Sequence, residues 1–394
     1  MSADLISGRL GGDSFPAQVL GRHHRRYPAP DNATDVFTHL LTWQDLNRLL
    51  ATQRLNSPRL RLSAGESIDV GRYTQRRRYR RMPDWDAPAP HLFHQQLREG
   101  ATLVVDAIDE MHSPIGETVS GLESWLGTGI QTNAYASWTP REGFGIHWDD
   151  HDVLVFQVAG RKRWRIYGTT RTAPLHNDVE FEEAAPTVPI DEFVMAPGDI
   201  LHVPRGCWHA VAASEGEPSL HLTCGLNTTT GADFLTWLTA GMVEHDEVRT
   251  DVPRDPRQFS NWSYRMSELI TARFQDPDVV RAYWGRQNET ATARAAFSLP
   301  IAVTGELTDS TRLRLATKRG TLSMTGGSLT YLAQGRRWTF AAQVFPLLSH
   351  LDEQHSATVK ELCRLDPGIP RETLVGLLRR LLEDGALVWE GEEG

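Results

Sequence analysis

His147 and Asp149 stand two residues apart in the stretch from Gly143 to His151. On extended backbone, residues i and i+2 point to one face, so this His-x-Asp spacing aims an imidazole and a carboxylate at one point. A second imidazole, His209, lies 60 residues beyond Asp149, after the turn Pro197, Gly198, Asp199. Two His and one carboxylate on one side of a metal, with the other positions open, is the donor set of non-haem Fe(II) oxygenases. A His-x-Asp pair alone says little, because ordinary packing also produces it. The residues that follow it say more.

Val153 to Val158 reads as a buried strand, Ala159 and Gly160 as a turn, and Arg161 to Tyr167 as the returning strand. Period 2 places Lys162 on the apolar face with Trp164 and Ile166, while Arg161, Arg163 and Arg165 face outward. An unpaired buried ammonium is costly. Lys162 is therefore either a snorkelling or internally paired lysine, or the receptor for the carboxylate of an acidic cosubstrate beside the metal.

Together these residues resemble the JmjC-type 2-oxoglutarate oxygenases, and among them the ribosomal-oxygenase subgroup of cupin-like protein hydroxylases. The matching features are Asn133, His147 with Asp149 and Asp150, Gln157, the run Gly160 to Trp164, the turn at 197–199, and His209. The resemblance implies that His147, Asp149 and His209 ligate Fe(II), with 2-oxoglutarate and O₂ as cosubstrates. It implies that Lys162 pairs with the distal carboxylate of 2-oxoglutarate and that Asn133 and Thr223 line the cosubstrate site. Gly225 stands where some members have a serine, and Trp148 replaces the more usual tyrosine between the two ligands. The implied substrate is a protein side chain, such as an Arg or His of a ribosomal protein. A peptide natural product is the alternative substrate, and N-methyl demethylation ranks behind both. A non-catalytic cupin and winged-helix sensor, or a zinc or manganese cupin hydrolase or isomerase, would keep the fold without needing Lys162.

These residues need a scaffold, and the chain has room for one. Its 394 residues suffice for two or three domains, and 40% hydrophobic with 23% charged residues is an ordinary globular balance. No apolar run reaches the eighteen or so residues a membrane span requires. Three cysteines, Cys207, Cys224 and Cys363, in no paired spacing, fit a reducing cytoplasm better than a disulfide framework. Cys207 shares the parity of His209, but a thiol there reads first as a small packing residue. Net charge is −9, unevenly spread: residues 1–81 carry 14 Arg, no Lys and 7 acidic residues. The positive charge gathers at Arg22 to Arg26 and Arg76 to Arg81. Each cluster is either a solvated face or a patch that meets an anionic partner such as ribosomal RNA or an acidic leader peptide.

The patterning predicts an α+β protein. Helices are expected over 36–56, with Thr42 as N-cap, and near 90–99; strands are expected at 59–63 and 101–108. From Gln131 to Asn227, short strands alternating with Gly/Pro turns predict an antiparallel double-stranded β-helix, a jelly-roll core of the JmjC/cupin kind, with the motif residues on its strands. Residues 1–228 are thus the expected catalytic domain. Residues 229–298 read as helical and carry Trp237, Trp262 and Trp284; the resemblance makes them a dimerisation segment. Residues 299–394 read as strands near 311–333, helices at 340–354, 356–364 and 370–384, and a closing strand, an order resembling a winged helix. With 5 basic and 10 acidic side chains over 341–394, that region is poorly suited to DNA phosphates and reads as a structural or protein-contact module.

Overall fold

The computed structural model describes residues 2–30, 33–180, 183–214, 216–366 and 368–392. The chain separates into two compact units, Met1–Thr228 and Thr229–Gly394.

The first unit contains β1 (Arg25–Tyr27), β2 (Leu60–Ser63), β3 (Thr74–Tyr79), β4 (Met82–Pro88), β5 (Thr102–Val105) and β6 (Gly129–Ser137). It continues with β7 (Asp152–Ala159), β8 (Lys162–Thr169), β9 (Asp191–Met195), β10 (Ile200–Val203), β11 (Cys207–Ala213) and β12 (Ser219–Asn227). A seven-stranded sheet runs β1-β10-β7-β12-β6-β5-β2, a three-stranded sheet runs β11-β8-β9, and β3 with β4 forms a separate hairpin. Every pairing is antiparallel. The expected double-sheet β core within an α+β protein is what forms.

The packing explains why β7 shows no polar alternation. One face, Leu154, Phe156 and Val158, joins the large core with Ile200, Leu220 and Leu222. The other, Val153 and Val155, joins an inner cluster with Trp164, Ile166, Met195 and Leu201. A strand buried on both faces reads as one continuous apolar run. Each such side chain contributes roughly 1.5–3 kcal/mol by leaving water.

Gly160 makes the β7–β8 turn possible. Its φ is +61°, and a Cβ there would lie 1.8 Å from the Pro218 carbonyl oxygen. The 197–199 turn is tied down through Asp199, whose carboxylate accepts from Arg26 Nη2 at 2.7 Å, the Ala29 amide at 2.8 Å and the Ala196 amide at 3.0 Å. That clamp fastens the N-terminal segment to the sheet.

Outside the sheets the helices depart from the expected boundaries. The helix expected over 36–56 occupies only Trp43–Thr52, where Thr42 and Asp45 form a reciprocal capping box that fixes its start. A helix at Ser113–Leu126, not anticipated from periodicity, opens on a proline and stops at Gly127 with φ 66°.

The second unit begins with helices Gly231–Ala240, Pro256–Phe274 and Val279–Thr290. Strand Thr311–Leu315 then sits between Ala357–Thr358 and Leu387–Glu392, and helices Phe345–Gln354, Val359–Leu365 and Arg371–Glu383 pack a separate core around Leu313, Leu348, Leu362 and Leu378. The helix expected from 340 starts later, because Arg336–Ala341 is a strand paired with Ser328–Ala333. Among the described residues, no helix is long and apolar enough to cross a membrane.

Candidate metal centre

The ring nitrogens of His147 and His209 and a carboxylate oxygen of Asp149 all lie within 4.8 Å of one another. His209 Nε2 is 3.6 Å from Asp149 Oδ2, and the two imidazole centroids are 4.4 Å apart. Bonds of about 2 Å from one ion nearly span such a set.

The local backbone that produces this convergence differs from the expected one. His147 and Asp149 were expected on a strand. They lie instead in the segment leading into β7, where His147 makes an isolated bridge to His209. The two residues exchange backbone hydrogen bonds of 3.0 and 2.8 Å, which brings β11 directly against the His-x-Asp segment. The Asp149 carbonyl accepts from the Gly206 amide at 2.8 Å, pinning the carboxylate end of the pair. A register shift at Trp208 and His209 turns His209 inward.

Both imidazoles are oriented by backbone carbonyls. His147 Nδ1 faces the Gly145 carbonyl at 3.2 Å, and His209 Nδ1 faces the Cys207 carbonyl at 2.9 Å. A carbonyl can only accept, so each Nδ1 carries the proton and each Nε2 keeps its lone pair for a metal. Burial, then the neighbouring His147, pushes His209 down to about 4 against the opposing pull of Asp149. His209 is therefore neutral and ligand-ready at physiological pH. Cys207, of the same parity, packs in the inner apolar cluster and is not among the converging donors. Burial pushes its thiol up to about 11.

Lys162 enters the same β core from β8. It is 3% exposed, and its Nζ donates to Ser137 Oγ on β6 at 2.5 Å. Among the described residues no carboxylate reaches it, and burial pushes its ammonium down to about 7. His221 on β12 is buried nearby. It stacks on Tyr135 at 5.1 Å and meets Trp164 edge-on. Burial and the Lys162 charge hold His221 well below its ordinary pKa. His221 Nδ1 and Trp164 Nε1 are buried without a hydrogen-bond partner. Tyr135 is pushed up to about 12, by burial first and the Asp149 charge second. A buried ammonium and two unsatisfied polar atoms, with no carboxylate at the lysine among the described residues, make surroundings suited to an anion with hydrogen-bonding capacity.

Asn133 and Thr223 are half-buried and directly opposed across β6 and β12. Asn133 Oδ1 accepts from the Ala107 amide at 3.0 Å, so this side chain also anchors the turn after β5. Gln157, part of the sequence pattern, supports the β7–β8 turn: its amide donates to the Ala159 carbonyl at 2.9 Å and to Ser219 Oγ at 3.0 Å. At Gly225 a Cβ would lie 2.7 Å from His151 Nε2, so the glycine accommodates the His151 ring. His151 in turn holds Asp150, which His176 also meets.

Ser137, Tyr135 and His221 were not singled out from the sequence. Their signal was available in the alternation, since 133, 135 and 137 share one face of β6 and 221 and 223 share one face of β12.

Comparison with known proteins places the pattern in context. The JmjC domain family matches residues 118–234. Ribosomal oxygenase 1 of Bos taurus is 30% identical over 200 residues, covering 48% of this chain and 30% of that protein. Ribosomal oxygenase 2 of Rattus norvegicus is 34% identical over 140 residues, covering 34% of this chain and 30% of that protein. The chain thus spans about a third of the length of these relatives. Among solved structures, YcfD, a ribosomal oxygenase from Escherichia coli in complex with cobalt and 2-oxoglutarate, aligns over 96% of this chain and 98% of its own, with a TM-score of 0.57 at 18% identity.

Proposed function

We propose that this chain, whose residues 118–234 match the JmjC domain family and whose fold is that of the Escherichia coli ribosomal oxygenase YcfD, is an Fe(II)- and 2-oxoglutarate-dependent oxygenase that hydroxylates a ribosomal-protein side chain. The observation that carries this reading is the convergence of His147, Asp149 and His209 in the same β core as a buried lysine with no carboxylate partner among the described residues. A zinc or manganese cupin would use the first feature and leave the second unexplained.

In this reading His147 Nε2, Asp149 and His209 Nε2 hold the metal on one side. A metal held there would supply, with 2-oxoglutarate and O₂, the chemistry of oxidative decarboxylation, which yields succinate and CO₂ and places the other oxygen in a substrate C–H bond. The chain's own residues do the positioning. Lys162 and Ser137 receive the distal carboxylate, and Asn133 and Thr223 line the cosubstrate's course across β6 and β12. The stacked Tyr135 and His221, with Trp164, shield Lys162 from water. His209 stays neutral, so it does not repel the metal.

The test has two readouts. Purified protein with Fe(II) should convert 2-oxoglutarate to succinate. Intact-mass analysis of ribosomal proteins from cells with and without the chain should reveal one that gains a single oxygen, on Arg or His. Succinate formation with no ribosomal mass change would favour the peptide natural-product reading, and loss of a methyl group would favour demethylation. No turnover would leave a cupin-type sensor.

The division of labour follows: residues 1–228 catalyse, 229–298 associate with a second copy, and 299–394 form a winged-helix-like module for protein contact, acting in the cytoplasm. A specific feature supports the dimer. Helix Pro256–Phe274 has 19 residues and buries none of them, leaving Phe259, Tyr264, Ile270 and Phe274 exposed, as is Trp284. An amphipathic helix without a buried face needs a partner. The expected outcome is a dimeric mass at micromolar concentration, with an interface exceeding roughly 1,000 Å². Phe259→Glu combined with Phe274→Glu should yield the monomer. A monomeric parent would make this segment a contact for some other protein.

A further inference from the structure

The two arginine clusters look alike in the sequence and differ in the fold. The first is engaged internally except at Arg22, which is exposed. Arg26 is clamped to Asp199, Arg25 lies over the Tyr27 ring, and His24 meets Asp191. The second projects on the β3–β4 hairpin, which pairs with neither large sheet. The hairpin's base is anchored by buried Tyr73 and Ala87.

The hairpin's two faces differ. On one, Arg76 and Arg78 are neutralised by Asp84 and Asp86 across the ribbon. On the other, Arg77 stands directly opposite Trp85, with the Arg54 guanidinium 5.1 Å from the indole centroid. Arg54 is fixed there by donating to the Pro83 carbonyl at 2.8 Å. At the tip, Arg80 and Arg81 are exposed. Among the described residues, Arg77, Arg80 and Arg81 form no ion pair.

We infer that this hairpin is a docking surface for RNA backbone phosphates. The choice of RNA rests on the ribosomal reading above; the choice of phosphate rests on physics. Exposed Arg–carboxylate pairs are worth little singly, so three of them would hold an acidic peptide poorly. Phosphates neutralised along a polynucleotide release condensed counterions, and that gain grows with each contact. Planar guanidinium forks match phosphate oxygens, and an indole already carrying a guanidinium offers a base a stacking edge. The hairpin shares its unit with the metal-type cluster. The loop after β2 holds Gly143, through the Gly65 amide at 2.8 Å and Ser63 Oγ at 2.6 Å, in the segment that leads to His147. Docked RNA would hold an attached ribosomal protein on the unit that carries His147, Asp149 and His209.

The experiment is fluorescence anisotropy of the full chain with a labelled 20-nucleotide oligouridylate at about 50 to 200 mM salt. Three phosphate contacts predict a slope of log K on log salt of about −2, and so a loss of about 15-fold across that range. The triple variant Arg77→Ala, Arg80→Ala, Arg81→Ala should bind at least about 10-fold more weakly and lose most of the slope. Arg22→Ala should bind as the parent does. An unchanged melting midpoint for the triple variant would show that its fold is intact. Absence of binding at low salt, or equal binding by the triple variant, would overturn the inference. So would equal competition by polyglutamate, which would assign the surface to an acidic peptide. Conversion of 2-oxoglutarate should be unaffected in the triple variant, because none of the three arginines lines the site. Loss of RNA binding with turnover intact therefore strikes the docking surface alone, and absent turnover with RNA binding intact strikes the oxygenase reading alone.

Discussion

Asp149→Ala is expected to abolish 2-oxoglutarate conversion, by at least about 10³-fold, and to leave the protein without bound iron. Residues that merely orient a metal ligand are worth about 10- to 100-fold, and a ligand itself must exceed that. The Asp149 side chain is 32% exposed, so its removal opens no core cavity and the fold should persist. His209→Ala should give the same loss of metal. It also removes a buried ring that stacks on Trp164 at 5.6 Å, so its melting temperature should fall as well. Metal content by elemental analysis and succinate formation are the two measurements. Full iron occupancy in Asp149→Ala would remove the carboxylate from the donor set. Turnover near the parental rate would remove the donor set from the mechanism.

Lys162→Ala should weaken 2-oxoglutarate binding about 10- to 100-fold while leaving the metal in place, since a charge-assisted hydrogen bond contributes roughly 1.5–3 kcal/mol. Lys162→Arg should be milder, because the charge survives and only reach and shape change. The pH dependence separates this role from packing. With no anion bound, burial holds the Lys162 pKa at about 7. A bound carboxylate favours the ammonium and raises that pKa. Below about pH 7 the lysine is already charged, and affinity should be flat. Above it, binding must take up a proton, so Kd should rise toward tenfold per pH unit until the pKa of the complex is reached. Calorimetry in buffers of different ionisation enthalpy would register the proton uptake. A Kd independent of pH between about 7 and 9, or an unchanged Kd in Lys162→Ala, would make Lys162 a packing residue.

Much of what depends on local backbone geometry was legible in the sequence by itself. The spacing of His147 and Asp149 aims two donors together, and period 2 along 161–167 puts Lys162 inward with Trp164 and Ile166. Thr42 capped the helix at Trp43–Thr52, and the strand texture from 131 to 227 announced the double-sheet core. Parity and capping are steric properties of neighbouring residues, so they can be read without knowing the fold.

Which residues face one another was decided only in three dimensions. His209 reaches Asp149 because an isolated bridge joins His147 to β11 and the register shifts at Trp208. Lys162 rests on Ser137, and His221 on Tyr135, because long-range burial sets the register of β6 and β12. The same holds for charge. Arg26 meets Asp199 across 173 residues, while Arg77 meets no carboxylate among the described residues, a contrast no local pattern encodes. Partners distant in the chain are selected by the burial of whole sheets, a many-residue property that short-range periodicity does not contain.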